Sequence, residues 1–172
     1  SKIYKSPFYV DAPKTLKAFT LDAKTNRKSD VITKTLDISK KTWKITTLNG
    51  EQITEKAIDD NPFTNWSADK KTLSNAKINL GKTTIIKGFT YTPTQSRWIS
   101  GIITHYTFYG STNGKNWKKL AKGEFSNIKA NPIEQKVLFT KPEAVKYIKI
   151  IADKIMDDKN TAVIAELGVI TK

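Results

Sequence analysis

The second half of the chain consists mostly of short runs in which apolar and polar residues alternate. β-Branched and aromatic residues dominate these runs and turn-forming residues separate them, a pattern typical of β-strands. No stretch of ten residues has the apolar spacing of an amphipathic helix. The pattern therefore predicts an all-β fold, an antiparallel sandwich or barrel, with strands in residues 83–93, 103–112, 135–140, 145–152 and 162–170.

A tight turn follows the second of these strands. The sequence STNGKNW (residues 111–117) contains the pair Asn113-Gly114 and ends at Trp117. Asn-Gly tolerates the positive φ angles that a tight antiparallel connection requires. We therefore expect a hairpin at this point.

The first 39 residues have a pattern of their own. Two strand-like segments flank the polar turn KTNRKSD (residues 24–30), which predicts a hairpin. Because two strands alone are marginally stable in water, this hairpin is expected to be the tail of another β domain or an added edge. Residues 6–36 resemble the end of the small β domain appended to bacterial chitobiase and β-hexosaminidase chains. We therefore assign residues 1–39 to a fragment of a preceding small β domain with its linker, and residues 40–172 to a second domain.

The composition limits the chemistry that the chain can perform. It has 172 residues, 38% of them hydrophobic, which is enough to bury a core, and no apolar run approaches the roughly 20 residues of a membrane-spanning helix. Cysteine is absent and His105 is the single histidine, so zinc clusters and histidine-based triads cannot be assembled. His105 alternates with Tyr106 and Phe108 and is expected on the opposite, surface-facing side of its strand. The sixteen carboxylates have no histidine or arginine constellation around them, which favours a binding function over an enzymatic one.

The net charge of +14 is typical of proteins that bind nucleic acid or an anionic membrane. Only Arg27 and Arg97 among the 30 basic residues are arginine, whereas phosphate and base recognition exploits the forked guanidinium. The lysines are scattered from Lys2 to Lys172, with no block of five or six. We therefore predict solubilising lysines on exposed strand faces, and no nucleic-acid partner.

From Trp43 onward, a series of short motifs resembles a single domain family. In order they are TW (42–43), AIDDNPFTNW (57–66), INLGKTTIIKGFTYTP (78–93), YTFYGSTNGKNW (106–117), VKYIKIIA (145–152) and AELGV (165–169). The ordered set is similar to the discoidin, or coagulation factor 5/8 type C, domain, which in bacterial glycosidases is the family 32 carbohydrate-binding module.

This resemblance implies a fold and a function. The fold would be an eight-stranded antiparallel β-sandwich of the jelly-roll, galactose-binding-domain-like type that binds ligands in the loops at one end and performs no catalysis. The partner would be a glycan with galactose-, N-acetylhexosamine- or fucose-type sugars. The role would be to tether a glycosidase, here a chitobiase-like one because of residues 6–36, as a monomeric module of a larger bacterial enzyme outside the cytoplasm.

The resemblance also implies a structural calcium ion at the stretch AIDDNPFTNWSA (residues 57–68). In the family, the Asp-containing turn and the closing Ala-Glu come together and bind the ion between them. Asp59, Thr64 and Glu166 match those positions. Calcium takes about six to eight oxygen ligands, so backbone carbonyls are expected to complete the set. The candidate carbonyls belong to Ala57, Asn61 and Ala165.

The same stretch fits a simpler arrangement without a metal. Asp59 can cap a turn and Glu166 can be a solvated strand end. Asp60 stands where the motif usually has glycine, so it must accept a left-handed backbone conformation, which Asp tolerates, or change the loop.

The tryptophans divide into two groups. Trp43, Trp66 and Trp117 occupy structural positions of the family, and we predict that they pack in the core. Trp98 instead follows a polar loop segment, where a flat exposed ring is suited to stacking on sugar.

The loop TPTQSRWISG (residues 92–101) is therefore the predicted sugar site. Trp98 would stack on a pyranose ring, Arg97 would donate paired hydrogen bonds to sugar hydroxyls, and Gln95 would be a further ligand residue. Two polar contacts usual in the family are replaced, by Pro93-Thr94 and by SGII (100–103). The alternative is an ordinary surface loop.

Two other function classes remain open. An adhesion module would bind protein, an anionic membrane or a polyanionic glycan surface, and apolar residues at loop tips would favour it. Ile99 and Met156 are the candidates for such residues. A hydrolase is the third reading, which turnover of a chromogenic glycoside by the purified chain would establish.

Overall fold

The computed structural model describes residues 2–6, 8, 13–97 and 99–171. The chain divides into two compact units, one within residues 1–39 and the other spanning Lys40–Thr171. Across the part of the chain described, no helix is long and apolar enough to cross a membrane. The elements are β1 (Lys14–Ala18), β2 (Ile32–Leu36), β3 (Lys44–Thr47), β4 (Gln52–Thr54), β5 (Trp66–Asp69), α1 (Lys70–Ser74), β6 (Ala76–Pro93), β7 (Ile103–Ser111), β8 (Lys118–Glu124), β9 (Gln135–Ile155), a 3-10 turn (Met156–Asp158) and β10 (Thr161–Ile170).

The first unit is an antiparallel hairpin, as its sequence predicts. Strands β1 and β2 pair from Lys14↔Leu36 to Ala18↔Ile32. In the turn, the Asp22 carboxylate accepts hydrogen bonds from the Lys24 N–H at 2.8 Å and the Thr25 hydroxyl at 2.8 Å. These local hydrogen bonds stabilise the turn, which is longer than a two-residue hairpin connection.

The second unit is a β-sandwich of eight antiparallel strands, which confirms the predicted fold class. Its strand order is β4-β3-β6-β9-β7-β8, and β10 pairs with both β5 and β6. Strands β6 and β9 are long enough to take part in both layers. The first part of β6 pairs with β3 and its last part with β10, and the two layers meet where the Phe89 and Phe108 rings stack at 4.1 Å.

The crossing of β6 and β9 differs from the sequence prediction. Segments 135–140 and 145–152 are one strand of 21 residues, β9, and not two. Its register against β6 shifts between Ile86 and Gly88. A Cβ at Gly88 would lie 2.1 Å from the Val137 carbonyl oxygen, so only glycine lets the two backbones approach this closely.

The interior is built from aliphatic and aromatic side chains of both layers. Tyr91 is fully buried, and its hydroxyl accepts the Ile103 N–H at 3.1 Å. Burial raises the pKa of Tyr91, so the phenol stays neutral. The hydrogen bond satisfies the one polar atom that this large ring brings into the core.

The packing predictions for Trp43 and Trp66 are confirmed, that for Trp117 is not, and Trp98 lies outside the described residues. Trp43 and Trp66 are buried in the core. Trp117 is only half-buried, so the prediction of core packing was wrong for this ring. His105 lies half-buried on β7, and its Nε2 is 3.6 Å from a Glu124 carboxylate oxygen.

Candidate functional site

The loop between β4 and β5 is held against β10 by backbone and core contacts. Ala57 and Ile58 are buried, and the Leu167 N–H donates to the Ala57 carbonyl at 2.8 Å. This bond places the loop beside Glu166, although the two are far apart in sequence. Asp60 has φ +60°, so it accepts the left-handed conformation that the motif otherwise gives to glycine.

Oxygen atoms converge on the Thr64 hydroxyl in this loop. Its Oγ1 lies 2.7 Å from Asp59 Oδ2, 3.0 Å from the Asn61 carbonyl oxygen and 3.1 Å from the Lys56 carbonyl oxygen. A hydroxyl carries one hydrogen, so it cannot satisfy three acceptors at once. The surplus of hard oxygens is a donor set suited to a cation such as calcium.

Glu166 completes this cluster from β10. It is 7% exposed, its Oε1 accepts the Asn61 N–H at 3.1 Å, and its Oε2 is in contact with the Lys40 ammonium. Lys40 also lies 3.0 Å from Asp60 Oδ1. Burial raises the pKa of Glu166 to about 7, although Lys40 opposes the rise. Burial also acts to raise the pKa of Asp59, but hydrogen bonds with Thr64, Glu166 and Asn61 outweigh it and lower that pKa.

The structure thus brings the predicted metal ligands Asp59, Thr64, Asn61 and Glu166 together. The Ala57 carbonyl is engaged by Leu167, and Ala165 is fully buried beside Glu166. Among the described residues, no three His, Cys, Asp or Glu side chains are grouped so that they could hold a metal.

Sequence reasoning missed two participants, the Lys40 ammonium and the Lys56 carbonyl. Lys40 meets Glu166 only through the fold, across 126 positions of sequence. A backbone carbonyl carries no side-chain signal at all.

The predicted sugar loop has a fixed base and an exposed tip. Thr94 and Ile102 at its two ends are buried, and the Gly101 carbonyl accepts the Val163 N–H at 2.8 Å. The Gln95 side-chain nitrogen donates to the carbonyls of Pro93 and Pro132, both at 2.9 Å. Gln95 therefore ties this loop to the one before β9.

At the tip of the same loop, Arg97 is exposed and Trp98 lies outside the described residues. The residues expected at apolar loop tips behave differently from each other. Ile99 is 39% exposed, but Met156 is only 8% exposed and packs inside. Among the described residues of these loops, the most exposed aromatic is Phe63, at 79%, which the sequence alone did not single out.

Comparisons with known proteins give one family and several similar folds. Residues 39–167 match the sequence model of the family described as F5/8 type C domain. No curated protein matches the chain. Among solved structures, the family 32 module of Clostridium perfringens NanJ in complex with galactose is 29% identical, with a TM-score of 0.57, covering 74% of this chain and 91% of that one.

Two further structures share the fold at lower identity. CpGH89CBM32-5 from Clostridium perfringens, solved with GalNAc-β-1,3-galactose, is 22% identical, with a TM-score of 0.62 and coverage of 77% of this chain and 97% of that one. The C-terminal domain of a chitobiase from Bacteroides fragilis is also 22% identical, with a TM-score of 0.60 and coverage of 78% and 97%.

Proposed function

This chain belongs to the F5/8 type C domain family, and we propose that it acts there as a non-catalytic carbohydrate-binding module. The observation that carries the proposal is the family match over residues 39–167. The galactose complex of the Clostridium perfringens module, 29% identical to this chain, supports a sugar ligand of the galactose type.

The sugar site in this proposal is the loop after β6. Its buried ends and the Gln95 bridge hold it in place before ligand arrives, which reduces the entropy lost on binding. Arg97 at the exposed tip donates paired hydrogen bonds to hydroxyls, and the Trp98 ring stacks on the sugar. Gln95 positions the loop, because its amide nitrogen is already engaged.

Calorimetric and NMR titration with galactose, N-acetylgalactosamine, N-acetylglucosamine and fucose tests this site. We expect a dissociation constant of about 0.1–1 mM for at least one of them, because few contacts are buried. Trp98→Ala should abolish detectable binding, whereas Phe63→Ala, an exposed aromatic of another loop, should not. Arg97→Lys should weaken binding about tenfold, and its control is Arg27→Lys, which changes the other arginine of the chain. Unchanged sugar affinity in both Trp98→Ala and Arg97→Lys would contradict the site.

We further propose a structural calcium ion bound by Asp59, Thr64 and Glu166 with nearby carbonyls. The support is the convergence of acceptors on Thr64, which exceeds what one hydroxyl proton satisfies. The ion would supply positive charge that ties the loop to β10. It would share Glu166 with Lys40, which already brings one positive charge to the cluster.

We also propose that the chain is part of a chitobiase-like glycosidase outside the cytoplasm, and the exposed apolar face of the first unit supports the attachment. Its hairpin places Leu16 and Ile32 on one face, and these side chains are 40% and 73% exposed. Such a face is completed by further strands of a small β domain.

Cell fractionation followed by detection with an antibody against residues 40–171 tests attachment and location together. The expected result is an extracytoplasmic band larger than the 19.4 kDa of this chain. A 19.4 kDa band confined to the cytoplasm would contradict both.

A further inference from the structure

The outer face of the sheet that contains β6, β9, β7 and β8 carries a row of lysines. Tyr109 on β7 pairs with Lys149 on β9 and with Lys119 on β8. Because Ile78 pairs with Ile148, Lys77 on β6 lies opposite Lys149 in the same register. Lys77, Lys149, Tyr109 and Lys119, here called the lysine row, therefore cross four neighbouring strands about 4.8 Å apart.

Aromatic rings hold the ammonium groups of this face in place. The Lys149 ammonium lies 4.6 Å from the centre of the Trp117 ring and 5.3 Å from that of Tyr109. Those of Lys77 and Lys146 lie 5.5 and 5.7 Å from the centre of the Tyr147 ring. Cation–π contacts of this kind fix long side chains that would otherwise sample many rotamers. The positive charges are thus preorganised.

These charges have no acidic partners in the described parts of the chain. The ion pairs found there involve Lys40, His105, Lys118, Lys129 and Lys136, and none involves a lysine of the row. Like charges opposite each other on neighbouring strands cost stability, so Lys77 beside Lys149 is an unfavourable pair within the isolated molecule. A bound anion removes that repulsion.

We propose that the lysine row docks a linear acidic polysaccharide, a chain of sugars that carry carboxylate or sulfate groups. Ammonium groups match carboxylate and sulfate as point charges. The half-buried rings of Tyr109, Trp117 and Tyr147 stand between them as apolar surface for sugar C–H groups. This surface is separate from the sugar loop, and it does not depend on the function proposed for that loop.

Other anionic partners fit this face less well. The row contains no arginine for paired contacts with phosphates and bases. A flat sheet face does not enter the groove of a duplex. The row also lacks an exposed aliphatic side chain that would insert into a membrane.

The test compares two double variants of the full chain that have equal net charge. Lys77→Gln/Lys149→Gln removes two of the three lysines of the row, and Lys87→Gln/Lys141→Gln removes two exposed lysines elsewhere on β6 and β9. The probes are polygalacturonate and chondroitin sulfate, titrated at several salt concentrations. We expect the first variant to lose at least about tenfold in affinity and the slope of log K against log salt to fall by about one per lysine. The second variant should change less than about twofold.

Three results would overturn the proposal. Equal losses in the two variants would mean that only net charge matters. Tighter binding of a dT oligonucleotide or of phosphatidylserine vesicles than of either polysaccharide would assign the row to another class of partner. Absence of binding to both polysaccharides, in a chain whose thermal unfolding is normal, would leave the row without this role.

Galactose titrated into the same variants distinguishes this proposal from the one for the loop. Galactose affinity that is unchanged while polysaccharide affinity falls separates the two sites. A chain that binds none of the four sugars of the loop titration but still binds polygalacturonate through the row contradicts the loop site alone.

Discussion

At the scale of single residues, the Thr64 hydroxyl shows why a cation is expected in the loop before β5. One hydroxyl proton faces three acceptor oxygens, from Asp59, Asn61 and Lys56. The Asn61 carbonyl also accepts the Thr64 N–H at 3.1 Å, but the single hydroxyl proton cannot satisfy all three oxygens, and a positive charge beside them would lower the free-energy cost of holding them this close. The Lys40 ammonium compensates Glu166 and Asp60 on the other side of the cluster, but it is not in hydrogen-bond contact with Thr64.

Asp59→Asn should therefore remove most of the stabilisation by calcium. A ligand that binds only the folded state stabilises it by about 2.7 kcal/mol at a hundred times its dissociation constant. We expect the wild-type melting temperature to rise by several degrees in calcium and to fall in chelator. Asn retains the shape of Asp59 but not its charge, so the response of the variant should be small.

The matched control is Asp158→Asn, which removes the same charge from an exposed position with φ +51°. It should respond to calcium as the wild type does. Identical melting of the wild type in calcium and in chelator would refute the metal site.

At this scale, the sequence predicted the side chains that meet but not all of their partners. Asp59, Thr64 and Glu166 follow from the motif because the family encodes those side chains at fixed places. Lys40 does not, because its contact with Glu166 depends on how β10 packs beside the start of the second unit.

At the scale of elements, the crossing of β6 and β9 connects the two layers of the sandwich. Both strands continue through a register shift at this point, and Pro142 lies in the unpaired part of β9 between Leu138 and Glu143. Proline lacks an N–H and is tolerated where the ladder is irregular. Strand β9 therefore continues through Pro142, although a proline in the sequence usually indicates the end of a strand.

Gly88→Ala should disrupt this crossing. The added Cβ would approach the Val137 carbonyl oxygen to 2.1 Å, and the obstacle is backbone, which cannot rotate away. We expect a loss of about 3 kcal/mol in the free energy of unfolding, at the upper end of overpacking effects. Urea unfolding followed by circular dichroism measures it as a lower midpoint.

Gly123→Ala is the control for this change. It lies in β8, and its added Cβ would meet the Tyr106 hydroxyl at 3.0 Å, the far end of a side chain. Its cost should stay below about 1 kcal/mol. Equal midpoints for the two variants would show that the crossing is not tightly packed.

The alternation of apolar and polar residues predicted most elements of the sandwich. Strands β7 and β10 were predicted to within about one or two residues, because each is a short run rich in β-branched and aromatic or aliphatic residues that turn-forming residues bound. Strands β4 and β5 have three and four residues. Alternation over so few positions cannot be told from chance, and their places depend on pairing with β3 and β10.

At the scale of the whole molecule, folding changes how the lysine charges are distributed. Lys77, Lys119 and Lys149 are far apart in sequence, and their dispersion favoured a solubilising role. The sheet brings them into one row. Charge patches built across strands are invisible to a search for basic blocks along the chain, because neighbours in a sheet are set by register and not by sequence distance.

The two units should also differ in independent stability. Residues 40–172 contain the whole sandwich and are expected to fold alone with a single cooperative transition. Residues 1–39 alone should show no protected amides, because a two-stranded hairpin with exposed apolar side chains is marginal in water. Hydrogen exchange followed by NMR on the two fragments checks both expectations. A protected hairpin in the short fragment would show that it needs no further strands.

The contact between Lys149 and Trp117 has an optical consequence. A positive charge held 4.6 Å from an indole ring shifts the energy of its excited state, and so the colour and yield of its fluorescence. Trp43 and Trp66 are buried in the core and contribute a constant background fluorescence. In a Trp98→Phe variant, the fluorescence emission of Trp117 reports the position of the Lys149 ammonium. Binding of any ligand that moves the Lys149 ammonium away from the ring would therefore change the Trp117 fluorescence, and could be measured without a dye or a label.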